Sequence, residues 1–168
     1  MNQNQKKQFL VTEELLASHG QRALNLLMDY MGQLILFIIA FQIAGTIALE
    51  NGNKDFMAGF AKNDIMQYTF AAGISLFYYN IFEIFTARTF GKLVTQTIVV
   101  DENGEKPHHE VILIRSLCRL IPFEILSFIG MPARGWHDSL SKTYVVKKWD
   151  LEQKKQKFYS LTESKTED

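Results

Sequence analysis

ALNLLMDYMGQLILFIIAFQIAGTIAL, residues 23–49, decides the class of this chain. It runs for 27 residues with one charge, Asp29. At the helical rise it spans roughly 40 Å, enough to cross a bilayer with tilt. A cleaved signal peptide would have a shorter apolar run followed by small residues. Here about 20 mostly polar residues come first and an aspartate lies inside. The pattern therefore predicts a retained transmembrane helix.

A second apolar run, residues 65–85, reads IMQYTFAAGISLFYYNIFEIF and holds Glu83 near its end. Its 21 residues make about 31 Å of helix, again a span. Between the runs lie Glu50, Asn51, Gly52, Asn53, Lys54, Asp55, Lys62 and Asp64, which reads as a polar loop. The two helices are expected to form an antiparallel hairpin. Lys6, Lys7, Arg22, Arg88 and Lys92 flank its open end, against Lys54 and Lys62 at the loop. The positive-inside rule then puts both termini in the cytoplasm.

Residues 111–131, VILIRSLCRLIPFEILSFIGM, are different. Ile114, Leu117, Cys118 and Ile121 form one apolar helix stripe, with Arg115 and Arg119 on the other side. Two arginines and Glu124 are costly at the bilayer centre. A basic amphipathic helix over about 108–131, lying in the interface with snorkelling arginines and broken at Pro122, fits better. A third span is the alternative.

The rest is soluble in character. TIVV at residues 97–100 is β-branched, as is the run Thr143 to Val146. The two are expected to pair as a small cytoplasmic β element. The Asn103-Gly104 turn signal offers a second pairing, with residues around Lys106. Residues 1–20 and 149–168 read as polar, solvated ends, the C-terminal one partly helical or disordered and the N-terminal one with a short surface helix around Val11 to Ala17.

Composition closes several classes. Eighteen lysines and arginines balance eighteen acids, so no nucleic-acid partner is expected. One cysteine, Cys118, excludes an internal disulfide and a cysteine zinc cage. His137 next to Asp138, with His108 and His109, lacks any accompanying serine-elbow or zincin motif. No enzyme, metal or cofactor is expected, and the Trp136–His137–Asp138 segment reads as a loop at the membrane surface.

Asp29 is the sharpest candidate. It lies about six residues into the first helix, roughly 10 Å from its cytoplasmic end. Arg22 is two turns away, beyond i,i+4 reach. Asn80 and Glu83 lie at similar depth on the second helix, so the three polar groups can cluster. The cluster is either a structural staple between helices or an ion or proton site, since a desolvated carboxylate takes up protons more readily. Arg88, Arg115 and Arg119 are its candidate basic partners, with Arg134 a further one and Asp138 arriving from the returning loop.

The order of these features resembles the RDD family of bacterial membrane proteins. Arg22 opens the first helix, Asp29 lies within it, and Thr89-Phe90-Gly91-Lys92 precedes the β-run TIVV. GWHDSLSKTYVV, residues 135–146, closes the pattern with Asp138. Arg22, Asp29 and Asp138 match the arginine and two aspartates that give the family its name. The family often shows Thr-Pro-Gly-Lys where this chain has Phe90, and a cleaner third apolar segment. The resemblance, over roughly residues 16–148, implies a multi-pass protein of the bacterial inner membrane with a proposed part in transport. Two spans are too few to enclose a pathway, so a transporter would be a homo-oligomer or bind another membrane protein. The alternative is a membrane scaffold or accessory subunit holding a partner on its cytoplasmic face.

Overall fold

The structure is a computed structural model and describes residues 8–121 and 134–164. Helix α1, His19–Glu50, is 32 residues long. Its start is locally encoded. The Gln21 N–H donates to Ser18 Oγ at 3.2 Å and the Ser18 N–H to Gln21 Oε1 at 3.0 Å, a reciprocal capping box. At its far end the Asn51 side chain donates to the Ile47 carbonyl, and Gly52 takes a left-handed φ of 80° that turns the chain away.

The stretch between the apolar runs is more than a polar loop. It contains a two-turn helix, α2, Phe56–Lys62, whose Phe60 is buried. Phe37, Phe41, Phe56, Phe60 and Phe70 cluster around it with ring centroids 4.7–6.5 Å apart. The composition of the loop hides this because its polar residues outnumber its two phenylalanines. Asn63 then caps α3, Asp64–Thr86, by accepting from the Met66 N–H.

Helices α1 and α3 run antiparallel. Phe37 packs edge-on against Phe70, whereas Gly32 and Asp29 meet Tyr78. The missing Cβ of Gly32 makes room for the Tyr78 ring, which a methyl group there would meet at 3.3 Å. Among the described helices α1 is the one long and apolar enough to cross a membrane, with mean hydropathy 2.0. Only 6% of that window is buried. Its buried residues are Arg22, Asn25, Asp29 and Gly45, while Ile35, Ile38, Ile39, Ile43 and Ile47 face outward. This is the reverse of a helix in a water-soluble core. In a bilayer the apolar face belongs outside and the polar groups must find partners within.

After α3 the chain turns at Ala87 (φ 54°) into the short helix α4, Phe90–Val94. Strand β1, Thr97–Val100, pairs antiparallel with β2, Tyr144–Lys147, in the register Val99 to Val145. The pairing expected between the two β-branched runs is present. The alternative with residues near Lys106 is not. Asp101 instead closes residues 101–105 into a turn, its Oδ1 accepting from the N–H groups of Asn103 and Glu105.

The polar N-terminal segment is not solvated as its composition suggests. Phe9, Leu15 and Ala17 are buried, around a 3-10 turn at Glu13–Leu15. Leu16 bridges to Val146, and the Ala17 N–H donates to the Val145 carbonyl at 2.9 Å. This arm therefore lines the free edge of β2, which a two-stranded sheet would otherwise leave open. Helix α7, Lys148–Ser164, covers the same core through Leu151, and Phe158 meets Phe9 edge-on. The C-terminal segment is thus helical along 148–164, one of the two forms expected, and is packed on the core through Leu151 and Phe158.

Helix α5, His109–Cys118, confirms the helical stripe but inverts the role of its other face. Ile114, Leu117, Leu120 and Ile121 are exposed, whereas Arg115 is fully buried. The arginines do not snorkel outward. The expected continuation of this helix, residues 122–131, lies outside the described residues. Helix α6, Trp136–Leu140, leads back to β2.

Candidate functional site

A buried charge network joins α1, α3, α4, α5 and α6. Arg115 is its pivot. Its Nε donates to Glu83 Oε2 at 3.1 Å, and its Nη1 donates to Asp138 Oδ1 and to Thr143 Oγ1. Arg22 reaches the other Asp138 oxygen through Nη1. Glu83 Oε1 accepts from both Lys92 Nζ and Arg119 Nη2, each at 3.0 Å. Arg119 also lies flat over the Tyr79 ring, 3.7 Å from its centroid. Glu83, Arg115 and Asp138 have no exposed surface. Burial alone would raise the Asp138 carboxyl, but Arg115, His137 and Arg22 hold it well below the usual carboxylate range. Burial pushes the Lys92 ammonium down, against the pull of Glu83.

Asp29 is held differently from the expectation. No arginine touches it among the described contacts. Oδ1 accepts from the Tyr78 hydroxyl at 2.9 Å and the Gly91 N–H at 2.7 Å, and Oδ2 accepts from the Thr89 hydroxyl at 2.7 Å. Neutral donors thus satisfy it, as they can satisfy any buried carboxylate. Thr89 also accepts from Lys92 Nζ at 3.3 Å, which links Asp29 to the charged network.

The Thr89-Phe90-Gly91-Lys92 segment explains this arrangement residue by residue. Thr89 is the N-cap of α4 and accepts from the Lys92 N–H. Gly91 lets α4 press on α1: a Cβ there would lie 2.3 Å from the Asn25 carbonyl oxygen. Lys92 turns its ammonium onto Glu83. Phe90 occupies the first helical position, where proline is favoured. Its N–H makes one long bond, 3.3 Å, to the Tyr78 oxygen. Thr89 before it is extended (φ −97°, ψ 175°), the conformation a following proline requires. Phe90→Pro should therefore cost no more than about 1–2 kcal/mol, since it removes one weak neutral hydrogen bond and a half-exposed ring. Thermal melts in detergent would check this, and a loss above about 2 kcal/mol would show that the turn is not proline-compatible.

Two sequence candidates fall outside the network. Arg88 does not reach the acids. Its guanidinium donates to the carbonyls of Thr97, Lys92 and Leu93 and so closes the C-terminal end of α4. Asn80 bonds neither Asp29 nor Glu83, and its buried Oδ1 has no hydrogen-bond partner. Arg134 donates to the Asp138 carbonyl at 3.3 Å and lies over the Tyr144 ring. Sequence reasoning missed the roles of Tyr78, Thr89, Gly91 and Thr143, and gave Lys92 only an anchoring role. Among the described residues no three His, Cys, Asp or Glu side chains converge as metal ligands would. His137 Nε2 lies 3.3 Å from Asp138 Oδ1 and belongs to the network.

A cavity of about 190 Å³ borders this network between α1, α3 and α5, with Arg22, Asp29, Lys92, Arg115 and Arg119 in its wall. Arg22 and Asp29 thus line one space, Arg22 paired with Asp138 and Asp29 linked through the Thr89 hydroxyl to Lys92 of the network. The RDD family matches residues 16–142. The chain belongs to the RDD family. Neither a curated protein nor a solved structure matches it. Family membership together with the outward-apolar α1 makes this RDD protein a membrane protein. In α1, Arg22 pairs with Asp138, Asn25 meets Thr97 and Asp29 accepts from α4. An RDD protein stripped of that helix would lose the groups that its signature residues bind.

Proposed function

We propose that this protein takes part in moving an ion or small solute across the bacterial inner membrane, with the buried Arg/Asp/Glu cluster as its solute site. The observation that carries the reading is a fully buried charge network beside a cavity of about 190 Å³. Ionisable groups at membrane depth are costly and are kept where they line a substrate or ion path. In this reading α1 and α3 are the two spans and α5 lies at the interface with its apolar stripe in lipid. Arg22, Arg88 and Lys92 mark the cytoplasmic end, so the sheet and both termini are cytoplasmic. Two spans do not enclose a pathway, so the working unit is a homo-oligomer or a complex with another membrane protein.

Ion flux into proteoliposomes of the purified protein tests this. Flux by the native protein that is lost in a folded Asp29→Asn variant is the expected result. Absence of flux, together with a stable co-purifying protein, would overturn it in favour of a scaffold.

A further inference from the structure

We propose that the cavity beside Arg115 and Arg119 binds a tetrahedral oxyanion of the phosphate type. The inference rests on reading this cluster as a solute site and names the class of solute. Charge is the first argument. Among the described residues the cluster holds four cations, Arg22, Lys92, Arg115 and Arg119, and three carboxylates, Asp29, Glu83 and Asp138, so its described groups carry one formal positive charge in excess.

Hydrogen bonding is the second, independent argument. The carboxylates are already engaged. Glu83 accepts from Lys92, Arg115 and Arg119, Asp138 from Arg22, Arg115 and the Gly135 N–H, and Asp29 from three neutral donors. Yet Arg115 Nη2 and Arg119 Nη1 are buried with no hydrogen-bond partner. The Arg115 side chain is wholly buried and that of Arg119 is 9% exposed. Both residues line the cavity. Charged donors are costly to bury unmade, and a guanidinium fork is shaped for carboxylate or phosphate oxygens.

Size agrees. The cavity's 190 Å³ exceeds the roughly 150 Å³ that holds a benzene molecule, and a phosphate group is smaller than benzene. Among the described residues Asp29 is the one acid in the wall, and its oxygens are already bonded to Tyr78, Thr89 and Gly91, which leaves the guanidiniums to face the ligand. The anion has two sources, free phosphate from the aqueous side or the phosphate of an anionic lipid headgroup.

Thermal melts of the full chain in neutral detergent separate these sources. One arm titrates inorganic phosphate and the other phosphatidylglycerol, each against potassium chloride at equal ionic strength. The expected result is a saturable rise in melting temperature in one arm, with apparent affinity weakened at least tenfold in Arg119→Gln. Arg119→Lys, which keeps the charge and loses the fork, should fall between and covers the case in which Arg119→Gln does not fold. No rise beyond chloride in either arm would overturn the proposal, as would a rise equally strong in every folded Arg119 variant. Binding without flux would keep the oxyanion site and remove the transport reading, so the two failures are distinct.

Discussion

Replacing Arg115 with alanine is expected to lower the melting temperature in detergent by roughly 10 °C. Among the described residues Arg115 is the one side chain that touches both Glu83 and Asp138. Both acids are wholly buried, so neither can turn to water when the guanidinium goes. Glu83 keeps Lys92 and Arg119, but among the described residues Asp138 keeps only Arg22, His137 and the Gly135 N–H. Removing one partner of a buried ion pair costs about 3–5 kcal/mol. In a protein of this size each 1 kcal/mol moves the midpoint by about 2–4 °C. Thr143 also loses its charged donor, which loosens the entry to β2. A variant that melts within about 2 °C of the native protein would mean that the network is not held in a low-dielectric interior.

Gly91→Ala is expected to be as damaging although it adds a single methyl group. That methyl would lie 2.3 Å from the Asn25 carbonyl oxygen and 2.8 Å from its Cα. These are backbone atoms of α1, so no side-chain rotation relieves the overlap. Helix α4 must move away from α1, and the Gly91 N–H and Thr89 hydroxyl then leave Asp29. Losing two hydrogen bonds to a buried carboxylate costs about 3 kcal/mol or more. Melting in detergent reads the loss. A neutral result would show that α4 is free to shift at little cost, and the account of the Thr-Phe-Gly-Lys turn would fail.

The sequence makes legible whatever depends on a run or a period. Helix α1 is visible as 27 residues with one charge, and the β pairing as two β-branched runs. What is buried is harder to read, because the bilayer reverses the usual rule. On α5 the stripe of Ile114, Leu117 and Ile121 reads as the face of an interfacial helix, with Arg115 and Arg119 snorkelling from its other side. The stripe is exposed as expected, but Arg115 and Arg119 turn inward onto Glu83 and Asp138, acids that lie far from them in sequence. The Asp29 donors were hidden for another reason. Helix α4 is five residues long, too short for any periodicity, and its contacts with Asp29 are more than fifty residues apart in sequence. One local signal was available: Thr89 before a short apolar segment is an N-cap pattern. The N-terminal arm shows a third limit. Phe9, Leu15 and Ala17 are too few to outweigh their polar neighbours in composition, yet each one fills the core beside β2.

The central claim is that Arg115 and its acids act as one buried electrostatic unit. A double-mutant cycle on Arg115→Met and Asp138→Asn, read by equilibrium stability in detergent, tests it most directly. The account predicts that the two losses do not add, with a coupling of about 1–3 kcal/mol between them. Losses that add to within about 0.5 kcal/mol would contradict it.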